Sequence, residues 1–183
     1  MKPNHLSGAV RIAKDAAAVD RVELETLAAS WFRRNYFHEH GEWAYRDIKP
    51  RVLFEELLDA EGGTPIDYKF HCFDGEPRFL TLISGRFRGR LILDIYDMQF
   101  NPLPVRLEDL AVSVPQVTVP PPNFARMPEI ARKLSHGVGY VRVDLYNIRG
   151  RIVFGELTNY PGAGLLKFAP PVWDRIYGDY WRQ

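Results

Sequence analysis

Residues 140–164 read YVRVDLYNIRGRIVFGELTNYPGAG. Two runs rich in valine, isoleucine, leucine, tyrosine and phenylalanine flank NIRG, the pattern of two β-strands around a tight turn. Arg142, Asp144 and Glu156 interrupt these runs, and a charge inside a strand is costly unless it is paired or bound. Gly150 is able to take the positive φ that a three-residue bulged loop requires. Such an odd loop places Asp144 and Glu156 on one face, opposite or diagonal, with side chains within about 5–8 Å of each other. A two-residue loop would put them on opposite faces. Arg142, two residues before Asp144, shares its face.

Two carboxylates with a nearby oxygen ligand, and no histidine or cysteine, suit a hard cation such as Mg²⁺. An arginine beside that cation complements phosphate. Spacing alone leaves a second reading open, an Arg–carboxylate pair on the solvent face of a sheet.

The rest of the chain sets the class. Its 183 residues are enough for one full core, and 46% hydrophobic with 26% charged residues is the balance of a globular protein. A net charge of +1 gives no electrostatic case for wrapping nucleic acid or an anionic membrane. The single Cys72, between His71 and Phe73, allows no internal disulfide and no zinc site of usual spacing; it reads as buried strand filler. No signal-peptide core and no run near the ~18 apolar residues of a membrane span is present, so a soluble cytoplasmic protein is expected.

KPNHLSG is turn-rich and AVRIA alternates as a short strand. ELETLAASWFRRNY, from Glu23 to about Tyr36, has Leu24, Leu27, Trp31 and Phe32 at helical spacing, with Asp20 as cap. RVLFEELL reads as a strand entering a connection. IDYKFHCF, the turn DGEP and RFLTLISGRF form a hairpin, and RLILDIYDMQF is a further strand. The proline-rich VPQVTVPPPNF is a surface connection. MPEIARKLSHG and PPVWDRIYGDYW are helices. Strands in hairpins outnumber helices, which predicts an α+β class with a mainly antiparallel sheet.

RVD followed after about a dozen residues by GELTNYPGAG resembles the metal-binding end of the ATP-grasp superfamily. EWAYRDIKPR, RVLFEELLDAEGGTPIDYKFHCFDGEPRFL and LSHGVGYVRVDLY, in that order, resemble its TupA-like branch, found in bacterial surface-polysaccharide and teichuronopeptide synthesis. The likeness covers nearly the whole chain. It implies an ATP-grasp-like fold and a Mg²⁺ site at Asp144 and Glu156. The amide ligand of many ATP-grasp enzymes is replaced by Thr158, with Asn159 next to it.

The same resemblance makes Lys2 a phosphate lysine and Asn4, Ser7 and Gly8 part of a loop that closes over phosphates through backbone N–H groups. His5 in that loop reads as a solvated side chain. FEELL resembles the hinge that receives adenine, giving Glu55, Glu56, Leu57 and Leu58, with Glu55 at the matching position. Asp67 falls where an acid meets the ribose, and Lys69 and Arg142 become phosphate contacts and the catalytic pair. Arg86, Arg88 and Arg90 alternate in GRFRGR, as a phosphate or substrate contact or as a solvated edge.

Implied with the family are ATP and Mg²⁺ as cofactors and a carboxylate–amine ligase acting through an acyl phosphate. The expected substrate is an acidic sugar or amino acid of surface-polymer synthesis. A non-catalytic fragment that binds nucleotide or sugar alongside glycosyltransferase systems is the alternative. Because the likeness begins at Lys2, residues 1–50 are expected to be the remnant of a truncated N-terminal lobe, and 51–183 the C-terminal lobe carrying the Mg-ATP site. Met1 stands where the family has an apolar strand residue, which favours a start inside a longer gene over a shortened remnant. An exposed edge left by missing strands is a predicted homodimer surface.

Overall fold

The protein is described by a computed structural model for residues 1–13, 15, 17, 19–58, 65–85, 91–109, 115, 117 and 119–181. The chain divides into two compact units, Met1–Leu57 and Leu58–Gln183. Arg86, Arg88 and Arg90 lie outside the described residues.

In the first unit β1 (Lys2–Pro3) pairs antiparallel with β2 (Val52–Leu53). The alternating AVRIA stretch is not a strand: Arg11 trades backbone hydrogen bonds with Met1, 2.9 and 3.0 Å, and no ladder extends from that pair. Helix α1 (Arg21–Phe32) starts where the Asp20 side chain accepts from the Val22 N–H, as its sequence predicts. It stops short of Tyr36 because the Asn35 carbonyl side chain takes the N–H groups of Phe37 and His38, which starts a new helix, α2 (Tyr36–His40). RVLFEELL contributes only the two residues of β2 to a strand.

The second unit is built on one antiparallel sheet. Its strands are β3 (Asp67–Phe73), β4 (Glu76–Ser84), β5 (Ile92–Tyr96), β7 (Tyr140–Ile148) and β8 (Arg151–Thr158), in the order β5-β4-β3-β7-β8. A two-stranded ribbon joins β6 (Arg106–Leu107) to β9 (Phe168–Ala169). Helix α3 (Arg126–Ser135) precedes β7, and α4 (Val172–Asp179) closes the unit. This agrees with the expected α+β, mainly antiparallel class.

Alternation sorts the strands onto two faces. Tyr68, Phe70, Cys72, Leu80, Leu82, Val141, Val143 and Leu145 pack with Met127 and Ala131 of α3 in the main core. Full burial of a side chain such as Phe70 or Leu80 contributes about 1.5–3 kcal/mol each. At one end of the opposite face Phe73, Phe79 and Ile95 meet Tyr177 of α4, and Phe79 stacks on Tyr177 at 3.8 Å. The remainder of that face carries the charges.

The β7–β8 turn differs from the expected three-residue loop. Ile148 pairs with Arg151, so the loop is the two residues Arg149 and Gly150, with φ of 53° and 86°. Positive φ at both positions is the type I′ geometry that matches strand twist. The Asn147 side chain accepts the Gly150 N–H at 2.9 Å, and Asn123 donates to the Gly150 carbonyl at 2.9 Å. A two-residue loop alone would set Asp144 opposite Gly155 and turn Glu156 to the other face. A β-bulge between Asp144/Leu145 and their partners shifts the register, and Asp144 pairs with Glu156.

Gly155 is what permits the bulge. A Cβ there would lie 3.0 Å from the Asp144 carbonyl oxygen and 3.1 Å from Tyr146 Cε2. The β3–β4 hairpin has the same construction, a two-residue turn at Asp74 and Gly75 with a register shift beside Cys72 and Pro77.

Candidate functional site

The charged face is fixed by register. Across β4, β3, β7 and β8 run Thr81, Lys69, Asp144 and Glu156, each opposite the next. The adjacent row holds Phe79, His71, Arg142 and Thr158. Asp67 is two positions along β3 from Lys69, opposite Tyr146, and is buried. Lys69, Arg142, Asp144, Glu156 and Thr158 therefore meet in one cluster, with Asp67 on the same face.

Asp144 is the centre of the cluster, its side chain only 3% exposed. Arg142 grips it with Nε to Oδ1 at 2.7 Å and Nη2 to Oδ2 at 2.8 Å, and Lys69 Nζ donates to Oδ2 as well. The same Arg142 Nη2 reaches Thr158 Oγ1 at 2.9 Å and Glu156 Oε1 at 3.3 Å. Glu156 stands at the rim with 60% of its side chain exposed. The reading of a solvent-face ion pair is thus corrected: the pair exists, but Asp144 and Lys69 are buried inside the sheet face.

The Glu156 carboxyl titrates above its ordinary range, through lost hydration first and then the negative charge of Asp144. A bound cation would cancel the second cause. Burial lowers the Arg142 guanidinium, but its bonds to Asp144 and the two carboxylate charges outweigh that and hold it above its usual value.

His71 and its neighbours form the floor of the cluster and were not singled out as site residues in the sequence. His71 Nδ1 meets Tyr140 Oη at 2.9 Å and Nε2 meets Thr81 Oγ1 at 3.2 Å, while the ring stacks on Phe79 at 4.1 Å. Burial, and then the charges of Arg142 and Lys69, hold the imidazole neutral well below the usual histidine range. The signal was present: His71 is two residues from Lys69 in an alternating strand.

The donor set fits a hard divalent cation. Asp144 and Glu156 face each other on adjacent strands with the Thr158 hydroxyl beside them, all oxygen. Asn159 follows the end of β8 and is exposed, while Thr158 shares the face of Glu156. Among the described residues no group of three or more His, Cys, Asp or Glu gathers as a metal cluster. The pair of carboxylates with a hydroxyl is therefore the candidate, its remaining positions suited to water and phosphate oxygens.

The expected nucleotide contacts from Lys2 to Leu57 lie in the first unit, and Leu58 opens the second. Lys2 Nζ lies 2.8 Å from Glu55 Oε2, both side chains partly exposed. Asn4 ties the chain down, its Nδ2 donating to the Lys49 carbonyl at 3.1 Å and its Oδ1 accepting from the Arg51 N–H at 2.7 Å. Ser7 and Gly8 are exposed, with φ of 75° at Gly8. Glu55, Glu56 and Leu57 are exposed, Leu58 half-buried, and Phe54 beside them is 72% exposed. His5 corrects its sequence reading: it is buried, not solvated, and its Nε2 lies 3.0 Å from the Trp31 carbonyl. No helix among the described residues is long and apolar enough to cross a membrane.

A protein-family model described as TupA-like ATPgrasp matches residues 1–182. No curated protein and no solved structure matches the chain.

Proposed function

The chain belongs to the TupA-like ATP-grasp family, and we propose that it is an ATP- and Mg²⁺-dependent carboxylate–amine ligase of bacterial surface-polymer synthesis. The observation that carries this reading is the single cluster of Lys69, Arg142, Asp144 and Glu156 on one sheet face. Two cations and two carboxylates there offer both phosphate and metal contacts with no protein nucleophile.

Asp144, Glu156 and the Thr158 hydroxyl would hold the metal, with Asn159 at the strand end as a further oxygen. Bound there, Mg²⁺ supplies charge to phosphate oxygens. Lys69 and Arg142 bind the transferring phosphate and neutralise the charge that grows on it, which is catalysis by positioning and preorganised electrostatics. His71 is neutral and fastened to Tyr140 and Thr81, so it adds no positive charge beneath the cationic pair. Asp67, further along the face, is assigned to the ribose hydroxyls.

In the reaction a substrate carboxylate oxygen forms a bond to the γ-phosphorus and ADP leaves with the electrons of the broken P–O bond. An amine then attacks the acyl carbon and inorganic phosphate departs, leaving an amide. An acidic sugar or amino acid is the substrate class. On the family resemblance the same reading gives nucleotide contacts to Lys2, Asn4, Ser7, Gly8, Glu55, Glu56 and Leu57 of the first unit and to Leu58, the first residue of the second.

The test is ADP release by the purified chain with Mg-ATP, an amine and a panel of uronic acids and amino acids. Release that depends on one acidic substrate and falls at least about tenfold in Lys69→Met supports the ligase. Tight Mg-ATP binding with no ADP release for any substrate overturns it in favour of an accessory binding protein.

A further inference from the structure

We infer that Lys69 and a divalent cation are alternative partners of Asp144, so that cation and phosphate load onto this cluster together and neither loads well alone. The inference rests on the nucleotide reading above, and it concerns how that site is filled.

A carboxylate offers about four acceptor positions. Three at Asp144 are already used: Arg142 takes one on each oxygen, and Lys69 takes another on Oδ2. The carboxylate is buried, so no water shell can be exchanged to make room. Mg²⁺ requires near-octahedral oxygen ligation at about 2.0–2.1 Å. An ammonium and a divalent ion sharing one carboxylate would stand on the order of 4 Å apart, and their repulsion is weakly screened in a dry site. The one acceptor position left, on Oδ1, would hold the cation at that distance from the Lys69 ammonium, so repulsion makes Lys69 leave when the cation enters.

Charge says when it leaves. Lys69 and Arg142 balance Asp144 and Glu156, with Asp67 two residues along β3 the further acid of the face, so a divalent ion added alone still leaves an excess of positive charge. A di- or triphosphate above the same face supplies the missing negative charge and offers Lys69 new oxygens. Its long flexible stem can make that swing, whereas the Arg142 fork is held at once by Asp144, Glu156 and Thr158. Lys69 is therefore the exchanging group, and Arg142 the fixed one.

The experiment is calorimetric titration of Mg²⁺ into the full chain, alone and with saturating ADP, corrected for chelation by ADP itself. Parent, Lys69→Met and Lys69→Arg proteins are compared, with near-ultraviolet circular dichroism checking the fold. Lys69→Met keeps Asp144 paired with Arg142, so no lone buried charge is created. The expected result is that Lys69→Met binds Mg²⁺ alone at least about tenfold tighter than the parent, while Lys69→Arg behaves like the parent. Equal or weaker Mg²⁺ binding by folded Lys69→Met overturns the exchange, and ADP binding by the parent in that case leaves the nucleotide reading standing. Parent protein that binds Mg²⁺ equally well with and without ADP also overturns it. A gain in Lys69→Met with no ADP binding by the parent sinks the nucleotide reading instead, and supports the exchange.

Discussion

Gly155→Ala tests the device that brings the two carboxylates together. The added Cβ would sit 3.0 Å from a backbone oxygen of Asp144 and 3.1 Å from a ring carbon of Tyr146. The oxygen belongs to the central part of β7 and cannot step aside without moving the sheet. Crowding of this kind costs about 1–3 kcal/mol. For a unit of this size that is a fall in Tm of roughly 4–12 °C. The chain can also relieve the clash by discarding the bulge. Asp144 would then face residue 155, and Glu156 would turn to the opposite face. The first route displaces the paired carboxylates and the second separates them, so weaker Mg-nucleotide binding should accompany the lower Tm. Thermal denaturation by circular dichroism and calorimetry read both. Gly178→Ala is the control, since a Cβ there meets nothing within 4 Å and the position is helical; it should gain about 0.5 kcal/mol. A Gly155→Ala protein with parental Tm and parental Mg-nucleotide affinity would refute the role of the bulge.

Further outcomes follow from the charged face. Burial and the charges of Arg142 and Lys69 keep folded His71 neutral, so below about pH 6.5, the ordinary histidine value, the unfolded chain binds a proton that the folded one refuses. Stability should fall as pH drops from there, and denaturant melts from pH 7 to 5 should show a shallower fall in His71→Gln; parallel curves would contradict it. Glu156 has the opposite sign: its folded carboxyl titrates above 4.5, so its stability contribution is whole at lower pH and is lost as pH rises through the folded value. Glu156→Gln should therefore melt no lower than the parent at pH 7 without divalent cation, and a clear drop in Tm would be the contrary result. Asp144→Asn should lose about 3–5 kcal/mol, because it leaves Lys69 and Arg142 buried without their carboxylate; chemical denaturation showing under 1 kcal/mol would oppose that.

The hairpins were legible because their alternation matches a sheet with distinct faces, and Tyr68, Phe70 and Cys72 do enter the core while Lys69 and His71 face the charges. The common face of Asp144 and Glu156 was also foreseen, but for a different physical reason. A glycine within a strand reads only as a weak point; the close approach of Gly155 to the Asp144 carbonyl belongs to the paired structure. His5 was misjudged because its burial depends on the Trp31 carbonyl, 26 residues away. AVRIA alternates like a strand, yet alternation only makes a strand where a neighbour supplies a ladder. The grip of Lys69 on Asp144 was hidden for the same reason, since it needs the β3–β7 register, whereas the Arg142–carboxylate pair was legible within β7 itself.

The central claim is that the Asp144–Glu156 pair binds the metal of a metal–nucleotide complex. Calorimetric titration with Mg²⁺ and a non-hydrolysable ATP analogue, comparing parent with Glu156→Gln, tests it most directly. Glu156 sits at the rim with 60% of its side chain exposed, so the isosteric change removes a ligand charge while leaving the fold intact. The account predicts saturable binding by the parent and at least about a tenfold loss in folded Glu156→Gln. Absence of binding by the parent, or equal affinity in the two proteins, would contradict it.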